Sequence, residues 1–227
     1  MNIILAKDIS RRFGQRWAYA RVSLELKSKE RLLLIGANGS GKTTLLRSFS
    51  TLLTPSVGEL FLFGQSVMKG GLGVRHKIGL VSHNVGLYED LSASENLQLF
   101  ARLMGKSLSH EESKELLSSV GLEFRTEPVR NYSAGMRKRV SIASLKLKRP
   151  ELVLLDEPFS ALDPTGMDEL SELIIDLNAT IVIASHQVER AAALCQRALL
   201  LEDGLVRWSG VADKAWKAWR MSQQRST

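Results

Sequence analysis

Three stretches of this sequence combine residue types at spacings that can do chemistry. The first is Gly36-Ala37-Asn38-Gly39-Ser40-Gly41-Lys42-Thr43-Thr44, which fills the phosphate-loop pattern at Gly36, Gly41, Lys42 and Thr43. Glycines let backbone N–H groups close around phosphate oxygens, and the N-terminus of a following helix adds positive potential. Lys42 is placed to reach the β- and γ-phosphates of a nucleotide, and Thr43 to offer its hydroxyl to Mg²⁺. The second is the apolar run Leu152-Val153-Leu154-Leu155 ending in Asp156 and Glu157. Triphosphate hydrolysis needs one carboxylate for a metal-bound water and another for the attacking water, and this pair can divide that labour. The third is His186, just past the run Thr180-Ile181-Val182-Ile183-Ala184. If that run is a core strand, a ring nitrogen there can hydrogen-bond a γ-phosphate oxygen or the attacking water.

The elements that must position these groups are legible from periodicity. Arg31-Leu32-Leu33-Leu34-Ile35 reads as a buried parallel strand, and Leu45, Leu46 and Phe49 give the spacing of a helix face, so the glycine loop has strand before it and helix after it. Residues 3–5 and the alternation Val22, Leu24, Leu26 read as an antiparallel layer. Between them, Phe13 in the turn Arg11-Arg12-Phe13-Gly14 is open to two readings, an adenine-stacking ring or a core or hairpin aromatic. Residues 59–63 and 78–81 read as strands and 82–92 as loop. Ser94 is expected to cap a helix with the stripe Leu97, Ala101, Met104, stopped by Gly105. Ser109 with Glu112 reads as a capping box for a second helix ending at Gly121. Asp163 with Pro164 starts a third, whose face is Met167, Leu170, Ile174 and Leu177. The expected organisation is one domain over 1–208, with an α/β core (1–84 and 151–208), a helical lobe inserted at about 85–150, and a short basic tail over 209–227 carrying Trp216 and Trp219.

Bulk properties bound the rest. A chain of 227 residues can bury a full hydrophobic core. One cysteine, Cys195, excludes an internal disulfide framework and suits a reducing compartment. No apolar run approaches the ~18 residues of a membrane span, and the N-terminus shows no signal-peptide pattern. The net charge of +7 is concentrated at the ends: residues 1–50 carry ten Lys/Arg against three Asp/Glu, and residues 204–227 carry five against one. Basic ends suit phosphates, anionic lipid or nucleic acid, and equally an ordinary solvated surface.

Tyr132-Ser133-Ala134-Gly135-Met136-Arg137-Lys138-Arg139 resembles the signature segment of ATP-binding cassette transporter subunits, and the resemblance extends over roughly residues 3–208. The usual form is Leu-Ser-Gly-Gly-Gln; Ser133 and Gly135 are kept, while Tyr132, Ala134 and Met136 differ. The resemblance implies an α/β fold, a P-loop NTPase core of cassette type with an antiparallel β subdomain and an inserted helical subdomain. It implies ATP and Mg²⁺ as ligands. Glu157, His186 and Lys42 would be catalytic, Phe13 would stack on adenine, and Gly36, Asn38, Gly39, Ser40, Gly41, Thr43 and Thr44 would cradle the phosphates. Thr43, and Asp156 through water, would hold the metal. Ser133, Ala134, Gly135 and Met136 would contact ATP bound by the opposite subunit of a head-to-tail homodimer, with Asp163 in the loop that couples the two sites. His83 stands where the family's Mg²⁺-sensing glutamine is expected. Its imidazole can still approach the metal or its water, with a pH dependence an amide lacks.

His83, Ser185-His186-Gln187 and Asp156-Glu157-Pro158-Phe159-Ser160-Ala161-Leu162-Asp163 narrow the resemblance to the ATP-binding subunit of the haem exporter of bacterial cytochrome c maturation. That family implies a subunit on the cytoplasmic face of the inner membrane, beneath an integral-membrane permease and acting indirectly on a periplasmic haem chaperone. No Cys-x-x-Cys-His motif occurs, so direct haem attachment is not expected. An exporter of drugs, lipids or polysaccharide is the alternative. A nucleic-acid-acting cassette ATPase is a third class. Such proteins usually carry two cassettes or a long coiled-coil insertion, and this chain has neither, so no nucleic-acid partner is expected.

Overall fold

The computed structural model describes residues 1–69, 72–82 and 86–225. Two twelve-residue strands, β1 (Asn2–Phe13) and β2 (Arg16–Lys27), form a long antiparallel hairpin closed at Phe13 opposite Arg16. The sequence pattern marks only residues 3–5 and 22–26 of it. The outer parts of both strands are exposed and charged, so alternation fades while ladder pairing continues. With β4 (Val57–Leu62) and the two-residue β5 (Gln65–Ser66) they make a four-stranded sheet in the order β2-β1-β4-β5.

The second sheet has six strands. It contains β3 (Arg31–Ile35), β6 (Ile78–Val81), β7 (Leu152–Asp156), β8 (Thr180–Ala184), β9 (Arg197–Glu202) and β10 (Leu205–Val211), in the order β10-β9-β3-β8-β7-β6. Apart from Arg31, Asp156 and Thr180 at their ends, strands β3, β7 and β8 are apolar, and all three are almost wholly buried, as strands covered on both faces must be. Their parallel register is level: Leu34 and Asp156 both pair with Ala184. The residues following β3, β7 and β8 therefore leave the sheet at one edge. Helix α1 (Lys42–Phe49) begins there, and its Leu45, Leu46 and Phe49 sit in a core with Ile4, Tyr19, Leu60, Leu154, Val182 and Leu201. The Tyr19 hydroxyl is hydrogen-bonded to Ser48 Oγ at 2.7 Å inside that core.

The chain groups into two compact units, residues 1–80, 151–157 and 179–227 in one and 81–150 with 158–178 in the other. The second is helical, containing α2 (Ala93–Leu103), α3 (His110–Ser118), α4 (Ala134–Lys148) and α5 (Pro164–Ile175). Here one expectation is corrected. Ser92, not Ser94, caps α2: its side chain accepts from Glu95 N–H while the Glu95 carboxylate accepts from Ser92 N–H. Ser94 is instead buried, its hydroxyl 2.9 Å from that of Ser113 on α3. Serine at i with glutamate at i+3 decides the cap, and only Ser92 has that partner. Ser109–Glu112 and Asp163–Pro164 start α3 and α5 as the sequence predicts. Buried Asn96 accepts from Tyr88 N–H at 2.8 Å and donates to the carbonyls of Tyr88, Leu91 and Ser92, anchoring the loop before α2. At the end of the chain, α6 (Val188–Ala192) and α7 (Ala215–Arg225) complete the first unit.

Candidate functional site

Ile35 delivers the chain to the glycine loop at the edge where β3, β7 and β8 end. Two of the glycines are dictated by space. A Cβ on Gly36 would lie 2.3 Å from the Leu201 carbonyl oxygen and 2.4 Å from Ser40 Oγ. On Gly41, at φ +106°, it would lie 2.2 Å from the Ala18 carbonyl oxygen. At Gly39 the space is open, and the requirement there is the positive φ of +81° alone.

Lys42 is 5 % exposed, and its ammonium donates to the carbonyls of Gly36 at 2.7 Å and Ala37 at 3.1 Å. It lies 3.9 Å from Glu157 Oε1. Burial lowers the Lys42 pKa, against the opposing pull of the Glu157 and Asp156 carboxylates. Thr43 Oγ1 donates to Asp156 Oδ1 at 3.1 Å. Burial pushes the Asp156 carboxyl up, with the Thr43 hydrogen bond acting the other way.

Glu157 occupies a left-handed backbone conformation, φ +51°, with its N–H donating to Ala184 O at 2.8 Å. Such backbone costs of order 1–3 kcal/mol in a residue with a side chain and persists where the surroundings over-determine it. The turn aims the carboxylate at His186: Oε2 lies 2.8 Å from Nδ1 and accepts the His186 backbone N–H at 3.3 Å. The three sequence-selected chemistries of Lys42, Asp156–Glu157 and His186 thus meet.

They meet at an open cleft of about 340 Å³ lined by Phe13, Arg16, Ala18, the loop from Asn38 to Thr44 and Glu157. Phe13 is half exposed on its lip with the Arg11 guanidinium 4.9 Å from the ring centroid, so it is not a core residue. For Mg²⁺, adjacent Thr43 and Asp156 oxygens are hard donors of the right kind. No cluster of three or more His, Cys, Asp or Glu among the described residues forms a complete metal cage. A hydroxyl and a carboxylate beside the glycine loop, one placed for direct contact and the other for contact through a water, fit an ion that takes its remaining ligands from phosphate and water.

The signature residues belong to the helical unit. Ser133 caps α4, its Oγ accepting from Met136 N–H at 3.2 Å. Ser133, Ala134, Gly135 and Met136 line a second cleft there with Leu162 and Asp163. The Asp163 carboxylate caps α5 through Gly166 N–H at 2.9 Å. His83 lies outside the described residues. The sequence pattern gives no individual role to Arg16, Ala18 or Lys138. Arg16 enters the cleft because the Gly14-Gln15 turn sets it opposite Phe13, a pairing that hairpin length would have disclosed. Buried Lys138 donates to Ser160 O and to Ser160 Oγ, tying α4 to the loop before Asp163.

The family model described as "ABC transporter" matches residues 19–160. The chain belongs to the ATP-binding cassette family. Among curated relatives, the cassette is 34 % identical over 217 residues to the daunorubicin resistance ATP-binding protein DrrA3 of Streptomyces coeruleorubidus, covering 93 % of this chain and 69 % of that one. It is 33 % identical over 231 residues to the ABC transporter ATP-binding protein NatA of Bacillus subtilis, covering 96 % and 93 %. Among solved structures, it superposes with a TM-score of 0.81, at 27 % identity over 92 % of this chain and 98 % of the other, on a dimeric post-hydrolysis state of the ATP-binding cassette MJ0796 bound to ADP and Pi. This cassette is an ATPase subunit of an ABC transporter. No helix among its described residues is long and apolar enough to cross a membrane.

Proposed function

We propose that this cassette powers haem export, or the release of haem to its chaperone, in cytochrome c biogenesis. The hydrolytic half of the reading is carried by one observation, the Glu157 carboxylate held between Lys42 and His186 in the cleft. The cargo half rests on His83, the Ser-His-Gln at 185–187 and the segment 156–163.

In this reading Phe13 stacks on adenine, and the backbone N–H groups from Asn38 to Thr44 hold the phosphates of ATP, with Gly36, Gly39 and Gly41 shaping the loop. Lys42 exchanges the carbonyls of Gly36 and Ala37 for phosphate oxygens. Thr43, Asp156 through a water, and His83 are the residues that would hold Mg²⁺, which would neutralise phosphate charge as a Lewis acid. Glu157 accepts the proton of the water that attacks the γ-phosphorus as the bond to ADP breaks. His186 orients that carboxylate and the γ-phosphate. Ser133, Ala134, Gly135 and Met136 complete the site of a second, head-to-tail copy when ATP is bound, and Asp163 links the two sites. Ser133 is exposed and its three successors are half buried, which leaves them available for such a contact. The cassette then sits at the cytoplasmic face of the inner membrane under an integral-membrane permease, with the haem chaperone reached only indirectly and no nucleic acid involved.

A second cargo has an observation in its favour. The DrrA3 relative is named for daunorubicin resistance, which supports a drug exporter, in place of haem.

The deciding experiment is haem staining of c-type cytochromes in a deletion strain complemented with the normal gene or with Glu157→Gln. Loss of c-type but not b-type cytochromes, restored only by the normal gene, is the expected result. Unchanged c-type cytochromes with new sensitivity to an amphiphilic drug would overturn the haem reading in favour of drug export.

A further inference from the structure

The cleft is lined by a charged side chain that no phosphate-loop or carboxylate chemistry accounts for. Arg16 closes the β1–β2 hairpin opposite Phe13, one side of a two-residue turn whose Gly14 has φ +57°. The hairpin therefore presents an aromatic ring and a guanidinium side by side, and both line the same cleft as Asn38–Thr44. The neighbouring arginines are engaged: Arg11 donates to Thr54 O at 2.9 Å and lies over Phe13, while Arg12 lies over Trp17 with 5.9 Å to the ring centroid. Arg16 is exposed, and among the described residues no carboxylate forms a salt bridge with it. Its charge is uncompensated on the lip of a cleft whose opposite lining is a phosphate cradle.

From this arrangement we infer that Arg16 is a nucleotide-positioning residue, engaging the ribose and α-phosphate of a nucleoside di- or triphosphate. This rests on the ATP-site reading above. A nucleotide stacked on Phe13 with its terminal phosphates in the glycine loop must pass its ribose and α-phosphate between them, and Arg16 borders that passage. A guanidinium suits the task because its planar fork makes two parallel charge-assisted hydrogen bonds to phosphate oxygens. Being near the entrance and solvated, it contributes through binding and orientation, not through the bond-breaking step.

The test is ATPase kinetics and fluorescent-nucleotide titration of the full chain, comparing Arg16→Ala and Arg16→Lys with Arg12→Ala as the charge-matched control outside the cleft. Arg16→Ala is expected to raise KM for ATP, and the Kd of ATP and ADP alike, about three- to tenfold, with kcat within about twofold, the range of a partly solvated charge-assisted contact. Arg16→Lys should recover part of the loss, and Arg12→Ala should leave KM in place. An equal rise in KM in Arg12→Ala would reduce the effect to general surface charge and overturn the proposal. So would a loss for ATP alone, which would put the contact at the γ-phosphate, or a fall in thermal stability with unchanged nucleotide affinity. Absence of ATP binding by the unsubstituted chain would instead refute the site reading on which the proposal rests.

Discussion

The Glu157 carboxylate and the His186 imidazole are joined twice, by the 2.8 Å contact to Nδ1 and by the 3.3 Å bond from the His186 backbone N–H, both to the same oxygen. The backbone bond holds the acceptor in place, and the ring contact fixes which nitrogen faces it. A pair bound this way acts as one unit. Glu157→Gln should keep ATP binding and lower kcat about 10²- to 10³-fold, the usual worth of a general base. His186→Ala should lose a similar factor, and the double variant little more than the worse single one. Steady-state hydrolysis beside nucleotide titration checks this; losses that multiply in the double variant would separate the two roles.

Asp156 makes a prediction about stability. Burial raises its pKa, so the folded protein holds that proton to higher pH than the unfolded chain does. The stability associated with this group is complete below the unfolded carboxyl pKa and declines as pH rises through the raised folded value. At neutral pH the ligand-free protein therefore carries the burial cost of the charge. Asp156→Asn should melt a few degrees higher without nucleotide at pH 7, where about 1 kcal/mol shifts Tm by ~2–4 °C in a chain of this size, and should lose Mg²⁺-dependent hydrolysis. The Tm gain should shrink toward pH 4. A lower Tm at pH 7 would mean that attraction to Lys42 and Arg47 outweighs burial.

The glycine loop separates steric from conformational demand. Gly41→Ala must push a Cβ off the Ala18 carbonyl at 2.2 Å while holding φ +106°, and the cost should exceed about 2 kcal/mol. Gly39→Ala meets nothing within 4 Å and should cost about 1 kcal/mol for its positive φ. Chemical denaturation of both variants tests the order, and equal losses would refute it.

The proposed head-to-tail dimer predicts complementation. Gly135→Asp puts a carboxylate at the start of α4, where it favours the helix but opposes a phosphate. A Cβ there meets the end of the Leu162 side chain at 3.3 Å and Ser133 Oγ at 3.8 Å, an ordinary contact, so the variant should fold. Alone, it and Glu157→Gln should each be nearly inactive. Mixed, they form dimers in which one site has Glu157 from one copy and an intact signature from the other, and hydrolysis should reappear. A mixture as inactive as its parts would argue that the signature acts within its own chain.

Local chemistry was readable wherever it depends on neighbours in the chain. The glycine loop, the apolar strand ending at Asp156 and the Ser109–Glu112 and Asp163–Pro164 helix starts need only residues a few positions apart. The cap of α2 is ambiguous in sequence because two serines near one helix start compete, and the decision lies with Glu95 and with burial of Ser94 against Ser113 on another helix.

By itself, the sequence determined which residue types stand at spacings that can do chemistry and that strands must deliver them, because residue type and period are local properties. Only the tertiary structure decided that they meet. Level parallel register across β3, β8 and β7 brings Gly36, Glu157 and His186 to one edge. The left-handed turn at Glu157 aims its carboxylate, and the length of the β1–β2 hairpin carries Phe13 and Arg16 to the cleft. Those are relations between segments far apart in the chain, set by hydrogen-bond register and packing, and no window along the sequence contains them.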